Sequence, residues 1–412
     1  MMRGKQISGF ASREKVLQDL FAVWEPVISE ETVPLDQAAG RVMARTLYSR
    51  NTLPVCRTSG CDGIAVRAAD FAGGMPDYMN WTEGREFFRA DTGDDFPDGY
   101  DAVIMIEEVD LDESGRILYI SDDITVKEGD HVTPAGSQLR EGDALLNEGL
   151  RIRPTDLAVL AAGGYPEVPV RKKPVVAFIP TGSELIPATE RPSRGKNIEA
   201  NSYLTAAALR ELGAEPMLFP IIPDDKEKLN DALDKALAAA DIVLICGGTA
   251  KGSEDYNYSL LSQGTLLNHY VAAAPGRPLA TAVLNGKPVL NVPGPPGASF
   301  YTMEWCVRPV ICRALGMAAI QRVKLDCELA APIRSTPQMA ILMRLNVYRR
   351  GDDYVAVPLR GRAEPMSVTM TSNAMYVSDL GESSLEAGTR IEVELLRDLS
   401  EIPEMPEEQD RY

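Results

Sequence analysis

The apolar and polar positions along the chain change period several times, and each change marks a different kind of element. From Ser12 onward, Val16, Leu17, Leu20 and Phe21 recur at helical spacing. Ser12 has the side-chain oxygen that an N-cap needs, so the chain opens on an amphipathic helix. Residues 34–50 (PLDQAAGRVMARTLYSR) read as a short helix followed by a strand. From about 51 to 140 short apolar runs such as Ala102–Ile106 and Ile117–Ile120 alternate with Gly/Asp/Pro turns, which predicts a mainly β region. Thr155–Ala162 reads as a capped helix that stops at Gly163-Gly164.

Residues 174–316 carry a βαβαβ pattern. A strand over Val175–Pro180 leads to a helix capped by Asn201 or Ser202, with Leu204, Ala207, Ala208 and Leu212 on one face and Gly213 at its end. A strand near Met217–Ile222 follows. The next helix lines up Leu229, Leu233, Ala236, Leu237 and Ala240 before the strand Asp241–Cys246. This order predicts a parallel sheet with right-handed crossovers. Leu279–Leu284 and Pro288–Val292 flank Asn285-Gly286 and predict a hairpin with a type I′ turn. Pro293–Gly297 then enters a helix ending near Leu315-Gly316. Residues 320–397 return to β: Ala340–Tyr348, Tyr354–Leu359 and Ile391–Leu396 alternate or are apolar throughout, and the acidic tail 401–412 is expected to fray.

Two strands of the α/β region end alike. Val175–Pro180 runs into Thr181-Gly182-Ser183-Glu184-Leu185, and Asp241–Cys246 runs into Gly247-Gly248-Thr249-Ala250-Lys251-Gly252-Ser253-Glu254-Asp255. In open α/β sheets ligands bind beyond the carboxyl ends of strands. Two such turns therefore suggest a crevice where backbone N–H groups hold a phosphate-like anion, with acids beside it for a metal.

Composition narrows the function. A chain of 412 residues is too long for one core. No apolar run approaches the roughly 20 residues that cross a bilayer, and MMRGKQISGF has no signal-peptide core, so a cytoplasmic protein is expected. The net charge of −18 argues against nucleic acid, and it requires that an anionic ligand find local help from helix N-termini, a few Lys or Arg, or a divalent cation. The six cysteines are scattered without a C-x-x-C and read as reduced core or strand thiols; with only His131 and His269 to help, zinc is not expected.

A series of short segments occurs in one order: Pro34–Val42 (PLDQAAGRV), Ser59–Ala65 (SGCDGIA), Arg89–Gly93 (RADTG) and Pro97–Val103 (PDGYDAV) with Glu107. Thr181–Leu185 (TGSEL), Asn201-Ser202, Gly247-Gly248 with Gly252 and Asp255-Tyr256, Pro275–Pro278 (PGRP) and Pro293-Gly294 follow. Each is weak alone. Together, across about residues 13 to 397, they resemble the MoeA/gephyrin E-domain family, the molybdopterin molybdenumtransferases. The resemblance implies an α/β plus β fold in an elongated, four-part subunit. Its parts would be an N-terminal helix (1–28) packing on the α/β domain, a linking α+β domain (29–50 and 141–173), a β-rich insert (51–140), the central molybdopterin-binding α/β domain (174–318), a C-terminal β domain (319–400) and the acidic tail (401–412). It implies a homodimer in which the insert of one subunit closes over the α/β part of the other, and other cofactor-biosynthesis proteins as partners. The implied substrate is adenylylated molybdopterin, from which molybdate displaces AMP with the help of a divalent ion, usually Mg²⁺.

By the same resemblance Asp62, Glu184 and Asp255 are the candidate catalytic acids, with Glu184 and Asp255 also binding metal. Thr92, Thr181, Gly182, Gly247, Gly248, Thr249, Lys251, Arg277 and Ser299 are candidate substrate-binding residues. Each has a plainer reading: Asp62 as a turn former before Gly63, Thr92 as an ST-turn, Glu184 and Asp255 as first-turn acids favoured by a helix dipole, the glycines as turn geometry, Lys251 as a solvated loop residue, Ser299 as a helix cap. The chain departs from the family pattern at several polar positions. M-D-G-Y is Cys61-Asp62-Gly63-Ile64, T-G-D-E is Thr181–Glu184 with Ser183 in place of one acid, and G-G-x-S-x-G is Gly247–Gly252 without the serine. Val126 and His131 stand where the family has Arg and Asp, Tyr270 and Ala274 where it has Lys, Arg277 where it has the Lys of P-G-K-P, and Pro293–Gly297 where it has P-G-N-P. These losses leave two alternatives to transfer of molybdenum: a non-catalytic molybdopterin-binding or scaffold paralogue, and a version specific for tungstate. A nucleotide pyrophosphatase related to the α/β part is a third.

Overall fold

A computed structural model describes residues 10–247, 256–359, 366 and 371–406. The chain forms two compact units, Glu30–Arg171 and a larger one made of the segments on either side. Helix α1 (Arg13–Val23) belongs to the larger unit. Ser12 caps it, accepting a hydrogen bond from the Lys15 N–H at 3.2 Å, and Val16 and Leu20 are buried.

In the smaller unit β1 (Glu30–Pro34) is followed by a 3₁₀ turn at Leu35–Gln37 and a short strand at Leu47–Tyr48. Three strands then form a sheet: β2 (Gly63–Val66), β3 (Phe88–Ala90) and β4 (Ala102–Met105), with β2 in the middle and antiparallel to both others. Ile106 leaves the strand for a 3₁₀ turn. Helix α2 (Pro154–Ala162) has Arg153, not Thr155, at its N-cap position and gives way at Gly163. β5 (Glu167–Arg171) then returns to pair antiparallel with β1. Separate apolar clusters sit under the two parts, one around Met43, Leu160 and Val168 and one around Ile64, Phe87 and Ile117.

The larger unit contains the βαβαβ region. It runs β6 (Val175–Pro180), α3 (Asn201–Leu212), β7 (Glu215–Leu218), α4 (Lys226–Ala239), β8 (Ile242–Cys246), α5 (Tyr256–Leu261), β9 (Thr265–His269), β10 (Ala280–Leu284), β11 (Lys287–Val292), then α6 (Pro296–Thr302) and α7 (Arg308–Ala314), joined by a π-helical turn at Met303–Val307. The sheet order is β7-β6-β8-β11-β10-β9. β7, β6, β8 and β11 are parallel, and β10 and β9 add an antiparallel edge. The β10–β11 hairpin turns at Asn285 and Gly286, whose φ values of 51° and 74° are those of a type I′ turn. β6, β8 and β11 are buried along nearly their whole length, as expected of strands covered on both faces. α4 buries the stripe its sequence marks, Leu229, Ala232, Leu233, Ala236 and Leu237. α3 does not: it buries Asn201, Thr205, Ala206, Leu209 and Leu212, leaving Ala207 exposed and Leu204 and Ala208 partly so. Neither Asn201 nor Ser202 caps α3. Ala200 holds that position, and Glu199 accepts from the Ser202 N–H at 3.0 Å.

The last part is a closed ring of five strands: β12 (Lys324–Leu329), β13 (Ala340–Arg350), β14 (Asp353–Pro358), β15 (Ala374–Val377) and β16 (Arg390–Leu395). β13 pairs with β14, β14 with β12, β12 with β16, β16 with β15, and β15 with β13. Closure removes the free edges that an open sheet exposes. The segment after β16 does not fray at once. The Met405 N–H donates to the Arg349 carbonyl and the Arg349 N–H to that of Pro403, so residues 403–405 lie along β13.

Candidate functional site

The carboxyl ends of β6, β8 and β11 bring three glycine turns together. Thr181 is buried, and its N–H and Oγ1 both donate to the Cys246 carbonyl, at 2.8 and 3.0 Å. Gly247 has φ +113°, and a Cβ there would lie 2.4 Å from the Thr181 carbonyl oxygen, so only glycine fits. A Cβ on Gly294 would meet the Gly247 Cα at 3.7 Å. Asn201, in the first turn of α3, donates to the Gly294 carbonyl at 2.7 Å and to Cys246 Sγ at 3.2 Å, and Asn257 of α5 donates to the Gly247 carbonyl at 2.7 Å. Burial pushes the Cys246 thiol up to about 12, so it stays neutral.

Two carboxylates attend the first of these turns. Gly182 has φ +149°, and a Cβ there would stand 2.7 Å from both carboxylate oxygens of Glu184, which folds back over the glycine. The second carboxylate is Asp224. Its Oδ2 accepts from the Ser183 N–H at 3.0 Å, and its own N–H donates to Ser183 Oγ at 3.0 Å. Thr181 and Ile222 form a lone parallel bridge that brings the loop of Asp224 alongside. The sequence reading missed Asp224. The available signal was the acidic pair Asp224-Asp225 directly after Pro223 beyond a strand. Lys196 donates to the Ser183 carbonyl at 2.8 Å, placing a cation at the same turn.

Of the residues singled out in the sequence, Thr181, Gly182, Glu184 and Gly247 share this rim. Gly248, Thr249, Lys251 and Asp255 lie outside the described residues. Arg277 stands at the β10 end of the rim, its guanidinium over the rings of Phe10 and Tyr270, at 5.2 and 5.6 Å. Ser299 is not a cap: Pro295 holds the N-cap position of α6, and Ser299 is fully buried with no hydrogen-bond partner for Oγ among the described residues. Among the described residues no group of three or more His, Cys, Asp or Glu side chains stands ready to hold a metal ion.

In the smaller unit Asp62 and Thr92 meet. Asp62 Oδ1 accepts from the Thr92 N–H at 2.6 Å and from Thr92 Oγ1 at 2.7 Å. These bonds, the backbone one first, hold the Asp62 carboxyl below the usual carboxylate range, and Arg89 adds to the effect. The Gly93 N–H donates to the Ser59 carbonyl and the Ser59 N–H to that of Asp94, so the two turns are laced together. Gly63 is packed so closely that a Cβ would lie 2.0 Å from the Ile104 carbonyl oxygen. Burial, then Glu107 and Asp62, raises the Cys61 thiol. His131, at φ 52°, accepts through its carbonyl from the Gly60 N–H at 2.7 Å, while Val126 packs on the apolar cluster. All six cysteines are free; Cys56 is exposed, Cys61 half-buried, and the other four are buried.

Residues 11–164 match the family described as "MoeA N-terminal region (domain I and II)", and residues 177–313 match "Probable molybdopterin binding domain". A molybdopterin molybdenumtransferase from Nostoc sp. is 32% identical over 311 residues, which is 70% of each chain. The chain belongs to the MoeA family. A Bacillus subtilis MoeA relative, also named molybdopterin molybdenumtransferase, is 28% identical over 89% of this chain and 90% of its own. The solved structure of a molybdopterin biosynthesis MoeA protein from Pyrococcus horikoshii superposes with a TM-score of 0.78 at 27% identity, covering 95% of this chain and all of that one. Within this MoeA fold Thr181, Glu184, Asp224, Gly247 and Gly294 fall in the second matched region, and Asp62 and Thr92 in the first.

Proposed function

We propose that this MoeA-family protein acts in molybdenum cofactor biosynthesis as a molybdenumtransferase, inserting metal from molybdate into adenylylated molybdopterin and releasing AMP. The observation that carries the reading is the convergence of Thr181, Gly247 and Gly294 with Glu184 and Asp224 on one rim of a parallel sheet. The glycines let backbone approach an anion closely, while the two acids are hard oxygen donors. Ser183 replaces an acid of the family pattern, yet its N–H and hydroxyl bind Asp224, so the turn retains two carboxylates. That feature favours an enzyme over a scaffold paralogue.

The donor set suits Mg²⁺, which binds through one or two carboxylates and completes its shell with water and substrate phosphate. Glu184 and Asp224 would hold it, with Asp255 a further candidate by resemblance. The ion, when bound, would neutralise charge on the phosphoanhydride. The chain's own residues orient the substrate: the glycine turns receive the phosphate, Lys196 and Arg277 offset its charge locally, and Asn201 and Asn257 hold the turns in register. This local positive charge matters in a protein with a net charge of −18. The resemblance also implies a homodimer, to be read by sedimentation of the full chain. Adenylylated molybdopterin, molybdate and Mg²⁺ supplied together should give molybdate-dependent AMP release and a cofactor that reconstitutes a molybdenum apoenzyme. Pterin binding without AMP release would instead favour the scaffold, and equal turnover with tungstate would remove metal specificity from the reading.

A further inference from the structure

The turn that carries Arg277 is loosely packed at its tip and held at its base. Apart from its chain neighbours, a Cβ on Gly276 would meet nothing nearer than Thr302 Oγ1, at 3.5 Å. At the base the Tyr270 N–H donates to the Leu279 carbonyl at 2.8 Å, and the Val271 N–H to that of Arg277 at 3.0 Å. Ala272 is bound on two further sides. Its N–H donates to the Ala11 carbonyl, and its carbonyl accepts from the Ala340 N–H, both at 2.9 Å. Ala273–Ala274 then pairs parallel with Ala340–Ile341, at the start of β13 in the strand ring. Val271, Ala272, Ala273 and Ala340 are all buried. Residues 10–13 tie this base to the ring a second time. The Phe10 ring lies 5.2 Å from the Arg277 guanidinium carbon. Ala11 makes the bond to Ala272, and Ser12 caps α1. Arg13 Nη2 donates to the Ser378 carbonyl at 3.1 Å. Ser378, directly after β15, is locked to β13 in turn: its N–H donates to the Ile341 carbonyl at 2.9 Å, and its Oγ accepts from the Ile341 N–H at 2.8 Å. The Arg13 side chain is only 11% exposed, and Glu14 stands 3.8 Å away. Burying a guanidinium costs free energy, so stability alone would favour an apolar side chain there.

We propose that Arg13 and Ser378 are positioning residues for Arg277: the strand ring, acting through them, fixes where Arg277 presents its guanidinium to the substrate. The inference rests on the proposed function for the anion that Arg277 meets. Rings hold Arg277 on its faces, and among the described residues no carboxylate pairs with it, although the chain has 60 Asp and Glu. Its donors therefore stay available to an anion. A planar fork binds an anion well only when its direction as well as its distance is set. The loose tip at Gly276 cannot set that direction, so the base must. The path runs from Ser378 to Ile341 and Ala340, then to Ala272, Val271 and the Arg277 carbonyl, while Arg13 and Phe10 close the loop from the other side.

The test is a double-mutant cycle in the full chain, read as KM and kcat for AMP release from adenylylated molybdopterin with molybdate and Mg²⁺. Arg13→Met removes the donors and should raise KM about five-fold, with kcat within about two-fold of the wild type. Ser378→Ala, which loses the bond to the Ile341 N–H, should do the same, and Arg13→Lys, which can still donate to the Ser378 carbonyl, should restore most of the loss. In an Arg277→Met background Arg13→Met should raise KM by less than about two-fold, because the group it positions is gone. A second readout needs no substrate. Hydrogen exchange of the Val271 amide, which is bonded to the Arg277 carbonyl, should quicken about ten-fold in Arg13→Met while the amides of β8 keep their rates. Unchanged exchange at Val271, an unchanged KM, or an equal rise in KM with and without Arg277 would each overturn the assignment. Faster exchange shared by β8 would overturn it too, as the mark of lost stability alone. A wild type that releases no AMP would instead sink the proposed function, and exchange at Val271 would still decide whether Arg13 holds the turn.

Discussion

Asp62 shows how one side chain meets a structural and a chemical requirement together. Its Oδ1 takes two hydrogen bonds from Thr92, which hold the adjoining turn and keep the carboxyl ionised below its ordinary range. Because the folded pKa is depressed, the stabilisation is present above the unfolded pKa, near 3.8, and is lost as pH falls through the lower folded value. Thr92→Ala removes the hydroxyl and leaves the backbone bond. An NMR titration should show the Asp62 carboxyl moving up toward the ordinary aspartate value, and an unmoved titration would contradict the stated cause. Gly247 makes a steric demand of comparable sharpness. Gly247→Ala sets a Cβ against the Thr181 carbonyl at a φ that alanine rarely adopts, so it should cost about 2–3 kcal/mol, read as a lower urea midpoint. A wild-type midpoint would mean that the turn relaxes freely.

Between elements, one acid ties the helical run after β11 to the segment that leads into the strand ring. Glu304, in the π-helical turn, accepts from Arg308 and takes Arg322 through two bonds of 2.7 and 2.8 Å, just ahead of β12. Glu304 is 11% exposed and Arg308 12%. Deleting one partner of such a group strands the others, so Glu304→Ala should destabilise the larger unit by about 3 kcal/mol in the same urea measurement. A change below about 0.5 kcal/mol would class the pair with exposed surface bridges. Elements differ in how openly the sequence declares them. α4 was legible because one stripe of its surface is apolar and the rest charged. α3 was misread because Leu204, Ala206, Ala207, Ala208, Leu209 and Leu212 surround it, so periodicity offered two stripes. Tertiary packing selected the one that carries Asn201 and Thr205 inward. The strand-end turns were legible from glycine after an apolar run. Asp224 was not, because its link to Ser183 runs through a single bridge between distant segments.

At the scale of the molecule, the order of the short segments was enough to indicate the family, and the MoeA fold follows from alternating strands and helices, then strands alone. The net charge of −18 remains the feature most at odds with an anionic substrate. Under the proposed function Lys196, Arg277 and a divalent cation on Glu184 and Asp224 would offset it locally. Release of AMP from adenylylated molybdopterin, with and without molybdate in the presence of Mg²⁺, tests this account most directly when the full chain is compared with its Glu184→Gln and Asp224→Asn variants. The account predicts molybdate-dependent release by the wild type and a loss of about 100-fold in both variants, with circular dichroism unchanged. Release that ignores molybdate, or variants that turn over at the wild-type rate, would contradict it.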